Sequence, residues 1–260
     1  MGKRLLLGLL FGAMLLLCAC KAVPPVEVPQ TEATVTTPST TEPPETIVPA
    51  HAEFYLPEYS TQQITEYFNE VVLNMEYTDG TGDATLVQKW LTPICYRIYG
   101  TPTDEDLAVL DALFAQLNQV SGFPGIYAAA DGVPENLSLN FWEPSAFFAE
   151  FSEIVGGEDA YGATQFWYYT ATNEIHTARI GYRTDLDQVT RNSILLEEIV
   201  NTLGISDTEL RTDSIVYQHS NENTVLSHVD WVILKLLYDP AIQCGMNADS
   251  CSAIIQQLYY

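Results

Sequence analysis

Hydrophobic residues along this chain switch repeatedly between a helical and a strand period, and those switches divide it into elements. Ser60 is placed to cap a helix whose Ile64, Phe68, Val71, Val72 and Met75 share one face, ending near the Asp79-Gly80-Thr81-Gly82 turn. Thr92–Tyr99 alternates as a strand does. Thr103 followed by Asp104, Glu105 and Asp106 then opens a helix with the buried stripe Leu107, Leu110, Leu113, Phe114 and Leu117. Gly122–Ala129 and Leu137–Trp142 read as strands and Ser145–Val155 as a short helix. Gln165–Thr170 and Ile175–Tyr182 form a hairpin turning at Thr172-Asn173. Helical spacing returns after Asp187 and runs to Leu203, where Gly204 stops it. A last clear helix opens at Leu226-Ser227-His228-Val229-Asp230 and runs through Leu237-Tyr238. The pattern predicts one mixed α/β domain over residues 53–260, long enough to bury a substantial core.

Upstream of that domain the character changes. Lys3 and Arg4 precede an apolar stretch from Leu5 to Leu17, too short to stay as a membrane span, and Leu17-Cys18-Ala19-Cys20 resembles the bacterial lipobox. Residues 1–19 are therefore expected to be a cleaved lipoprotein signal. Cys20 becomes the lipidated N-terminus, and the chain is held at the extracytoplasmic face of a cell membrane. Residues 20–52 are Pro, Thr, Val and Glu without hydrophobic period, and read as a disordered tether.

Charge narrows the partners. With 34 acidic against 10 basic residues the net charge is −24, and losing Lys3 and Arg4 makes it more negative. Nucleic acid is excluded, because binding it needs clustered Lys and Arg to displace counterions. Repulsion from anionic lipid leaves the acyl chains as the membrane contact. Downstream of the anchor remain Cys95, Cys244 and Cys251. Cys95 lies in an apolar strand and is expected as a buried thiol. The short Cys244–Cys251 loop is the easier pair to close as a disulfide in an oxidising compartment.

The chemistry-bearing spacing lies at Glu197, Glu198, Asn201, Gly204 and Asp207. It resembles the metzincin zinc-peptidase pattern, in which two His one turn apart and a third ligand hold the metal and a Glu acts as base. Here Glu197 and Asn201 stand at the His positions, while Glu198, Gly204 and Asp207 keep the base, the turn and the terminal acidic residue. The order of strands and helices also resembles the metzincin upper subdomain. Ser214-Ile215-Val216-Tyr217 resembles the Met-turn, with Val216 at the methionine position. That likeness implies a metzincin-like α/β (α+β) fold: a twisted mixed sheet, a long active-site-like helix, and C-terminal helices.

A closer resemblance is to the bacterial lipoproteins of the domain of unknown function 2927 family. It rests on Glu197-Glu198, Leu203-Gly204, Ser214-Ile215, Asp230, Leu237-Tyr238-Asp239-Pro240 and Gly245-Met246, with Asn201 departing from an expected Gln. The family implies a fold and a location, and no substrate.

Two readings fit the helix cluster. Glu197, Glu198 and Asp207 could hold a hard cation such as Ca²⁺ or Mg²⁺ with oxygen donors. The preferred reading is a hydrogen-bonded remnant closing the helix against the turn. No catalytic residue, zinc or cofactor is expected: none of the four His falls at i, i+4 spacing, and Glu198 lacks a metal-activated water. Phe166-Trp167-Tyr168-Tyr169 puts alternate aromatics on both faces of the edge strand that borders a metzincin cleft; one face is core, and the other is a candidate groove for an extended peptide or a glycan. The function expected first is thus a surface lipoprotein with a pseudopeptidase domain in a binding or envelope role. Behind it stand a residual metal-dependent peptidase using Glu198 and a purely structural envelope protein.

Overall fold

Side-chain caps start the helices close to where the sequence places them. In a computed structural model that describes residues 54, 56–73, 85–155 and 160–259, Ser60 and Gln63 exchange hydrogen bonds at the head of α1 (Thr61–Leu73). Thr103 and Asp106 do the same for α2 (Asp104–Leu117), and Ser227 and Asp230 for α5 (His228–Tyr238). Asp187 caps α4 (Gln188–Thr202) and Asn247 caps α6 (Ala248–Leu258), while α3 (Pro144–Phe151) begins on a proline. Met75, the Gly80 turn, the signal segment, Cys20 and the tether lie outside the described residues. No helix among the described residues is long and apolar enough to cross a membrane.

Two compact units divide the chain, one of Met1–Pro44 with Ala130–Val133, the other of Glu45–Ala129 with Pro134–Tyr260. Of the first, only Ala130–Val133 is described, a turn closed by the Val133 N–H on the Ala130 carbonyl. All that follows belongs to the second.

Its sheet is mostly parallel. β2 (Ile94–Gly100) lies between β3 (Ile126–Ala128) and β4 (Leu137–Trp142), and β4 pairs with the Ala178–Arg183 stretch of β6 (Glu174–Arg183). A two-residue strand β1 (Lys89–Trp90) pairs with Glu174 and Ile175 at the start of β6. β5 (Gly162–Tyr168) runs antiparallel along β6 in the expected hairpin, which turns at Asn173 with φ 57°. Alternation along β4 sends Leu137, Leu139 and Phe141 into the main core with α1, α2, α4, α5 and α6. Phe147 and Phe151 of α3 form a second cluster with Ala163, close enough to β6 that a Cβ on Gly181 would come within 2.5 Å of the Phe151 ring.

Some expectations fail for local reasons. β3 covers three residues instead of Gly122–Ala129, because Gly122 (φ 78°) and Gly125 (φ 93°) leave extended backbone. The Asn118 side chain grips both N–H and carbonyl of Ile126 and starts the strand there. α3 ends at Phe151, four residues early, in a turn. The Cys244–Cys251 disulfide is not formed. Cys251 is not in a loop but in the first turn of α6 and buried, and the Cys244 thiol points instead at the Lys89 carbonyl, 3.6 Å away. Cys95 is a buried thiol on β2, as expected.

Several of the family-like motifs prove to be structural joints. Buried Asp230 accepts from Ser214 Oγ (2.7 Å), Ile215 N–H (3.0 Å) and Ser227 N–H (2.8 Å), so one carboxylate ties the Ser-Ile turn to the cap of α5. At the other end of α5, buried Lys89 donates to the carbonyls of Leu237 (2.7 Å) and Ile242 (2.5 Å), a cation on the negative end of the helix dipole. Gly245 N–H and Met246 carbonyl pair with Val87, each at 2.9 Å.

Candidate functional site

Helix α4 is pinned at both ends before any of its acidic residues is considered. Near its start Arg191 meets Asp106 of α2 side-on through Nε and Nη2, with Arg191 6% and Asp106 0% exposed. Burial alone would raise the Asp106 carboxyl. Hydrogen bonds from Arg191, the Thr103 N–H and Gln188 outweigh it and hold the group below the usual carboxylate range. At the far end the Thr202 carbonyl accepts from Trp90 Nε1 (2.8 Å) and the Leu203 carbonyl from Tyr238 Oη (3.1 Å), so the last turn is satisfied internally. Gly204 follows with φ 98°, and a Cβ there would sit 2.0 Å from the Gln88 carbonyl oxygen. The glycine is required both by its backbone angle and by the approach of the chain entering β1.

Within this frame Glu198 is only 6% exposed. Its carboxylate lies against Gly162 of β5, where an added Cβ would come 2.5 Å from both Glu198 Oε1 and Ile194 Cγ2. The Thr164 hydroxyl donates to the Glu198 carbonyl at 3.0 Å, locking strand to helix. Burial pushes the Glu198 carboxyl up to about 8, the Asp207 charge adds to this, and Thr164 opposes it. Burial therefore favours the protonated form of Glu198, and the carboxyl is turned into the contact with β5, away from bulk water.

Asn201 Nδ2 donates to Asp207 Oδ1 at 3.2 Å, which joins the second and third ligand-like positions, while Asn201 Oδ1 is buried without a hydrogen-bond partner among the described residues. Glu197 is half-buried on the same helix. Among the described residues no three His, Cys, Asp or Glu side chains group as metal ligands. His219 is exposed beyond the turn beside Tyr217, His228 is exposed at the start of α5, and His176 stacks on Tyr169. Val216 is buried, and its carbonyl accepts from the Thr208 N–H at 2.8 Å, which joins the turn to the segment just after Asp207.

The aromatic run splits. Phe166 packs on the main core, while Trp167, Tyr168 and Tyr169 are 41%, 39% and 53% exposed. Trp167 lies on the α3 side near the Arg179 guanidinium, 6.0 Å from its ring. The strand bulges between Trp167 and Tyr168, and Tyr169 stacks on His176 with centroids 4.2 Å apart. Phe166 thus takes the core face and Trp167, Tyr168 and Tyr169 remain at the surface.

A cavity of about 460 Å³ lies elsewhere, between the end of α2 and α5, lined by Phe54, Gln116, Gln119, Val120, Ser121, Trp231, Lys235 and Asp239. Sequence reading passed over it. Its one signal is that Trp231, Lys235 and Asp239 recur every four residues on a helix otherwise filled with core positions.

A family described as "Protein of unknown function (DUF2927)" matches residues 61–257. None of the curated proteins matches the chain.

Proposed function

Since the chain belongs to the DUF2927 family, we propose that it is a lipid-anchored, extracytoplasmic binding protein on a metzincin-like frame that has given up peptidase chemistry. The frame is supported by the order β2-α2-β3-β4-α3-β5-β6-α4, by the antiparallel edge strand β5 beside α4, and by Gly204 and the Ser214–Tyr217 turn. Loss of chemistry rests on one observation: Glu198 packs inside against Gly162 and is only 6% exposed, away from water. A peptidase base must be ionised, near water, and beside an open metal position.

The same packing favours a second reading, a purely structural envelope protein, because the contact between α4 and β5 is filled at that point. Exposed Trp167, Tyr168 and Tyr169 on the edge strand favour binding, since an unpaired strand edge accepts an extended segment by backbone hydrogen bonds.

The full chain, purified without chelator, should carry no stoichiometric zinc and leave casein intact. Zinc lost in Glu197→Ala, together with proteolysis lost in Glu198→Gln, would instead establish a metallopeptidase. Cys20→Ser should move the protein from the membrane to the soluble fraction; retention in membranes would refute the lipid anchor.

A further inference from the structure

The 460 Å³ cavity between α2 and α5 has walls that are locked together. After α2 the chain turns tightly, with Val120 N–H on the Leu117 carbonyl and Phe123 N–H on the Val120 carbonyl. Gly122 (φ 78°) then runs against α5, so that a Cβ would fall 2.1 Å from the Tyr238 carbonyl oxygen, and the Phe123 ring meets Tyr238 edge-on at 4.9 Å. Asp239 is itself oriented by the Ala241 N–H at 2.8 Å. A backbone frame that is already formed lowers the ordering cost when the site fills.

We propose that this cavity binds a short neutral saccharide. Trp231 is partly buried on the core and supplies an aromatic face of the kind on which the C–H surface of a sugar ring packs. Gln116, Gln119, Ser121, Lys235 and Asp239 share the lining, residue types whose amide, hydroxyl, ammonium and carboxylate groups offer the mixture of donors and acceptors that matches hydroxyl groups, which are both. Lys235 and Asp239 cancel in charge. A phosphate-bearing ligand would meet one cation in a chain of net charge −24, which disfavours it. The volume lies in the range of small-ligand sites, and the residues are distinct from the α4 cluster and the β5 edge. The inference therefore does not depend on the peptidase-like reading.

The test is titration of the full chain in detergent with chitotriose, cellotriose and maltotriose, followed by tryptophan fluorescence and calorimetry. Saturable binding of at least one is expected, weakened about tenfold by Trp231→Ala and also by Gln119→Ala, an exposed position whose loss leaves the fold intact. Leu210→Ala, at an exposed position outside the cavity, should leave it unchanged. Absence of binding to all three, binding that survives both Trp231→Ala and Gln119→Ala, or loss of binding in Leu210→Ala would each overturn the proposal.

Discussion

Glu198→Gln should stabilise the protein at alkaline pH and change it little at pH 5. In the unfolded chain the carboxyl ionises near the ordinary 4.5, whereas in the folded protein burial and the Asp207 charge raise it to about 8. Between those values the folded state holds a proton that the unfolded state releases, so stability falls as pH rises through the interval and levels off above it. Each pH unit is worth about 1.4 kcal/mol, which sets a ceiling of about 5 kcal/mol. Relaxation around the charge and sharing of the proton with Asp207 reduce the expected effect to roughly 2–3 kcal/mol. Glutamine keeps the shape that fits against Gly162 and Ile194 and removes the titration. Urea unfolding at pH 5, 6, 7, 8 and 9, followed by tryptophan fluorescence and far-UV circular dichroism, reads the difference, with equal m-values as the check on comparability. The wild type should lose stability relative to the variant across that series. A variant destabilised equally at every pH, or one with the wild-type pH slope, would show that Glu198 is ionised and paired, and the remnant reading would fail.

Gly204→Ala should cost about 3 kcal/mol or more in the same unfolding assay, since the position combines φ 98° with a 2.0 Å approach to the Gln88 carbonyl; an alanine variant of native stability would mean that the end of α4 is placed otherwise. Asp230→Ala strips Ser214 Oγ, Ile215 N–H and Ser227 N–H of their shared acceptor and should cost about 3 kcal/mol. A loss below about 1 kcal/mol would show that the turn holds without that carboxylate. Iodoacetamide at pH 8 should modify half-buried Cys244 before Cys251, which is buried and whose thiol is pushed up to about 11 by burial. Mass mapping of unreduced peptides that found Cys244 bonded to Cys251 would refute the free-thiol arrangement.

Most elements were legible in the sequence, though β1 and α6 (Ala248–Leu258) were not. Amphipathic period and cap residues such as Thr103, Asp187 and Ser227 are local properties, and they placed α2, α4 and α5 to within a few residues. The hairpin and the glycine stop at Gly204 were legible for the same reason. Strand extent was less so: two glycines of positive φ cut β3 short, and β1 exists only because Lys89 and Trp90 reach β6 from 85 residues away in register with Glu174 and Ile175. The candidate site was legible as a spacing and illegible as a state. Glu198 at its place in a peptidase frame reads as a base, yet whether it meets water or Gly162 depends on a strand that lies 36 residues earlier in the chain. The Asp106–Arg191 pair and the Gly122–Tyr238 contact that shapes the cavity likewise join segments far apart in sequence. Desolvation decides the protonation of Glu198, and desolvation is a property of the packed neighbourhood, which only the tertiary structure supplies.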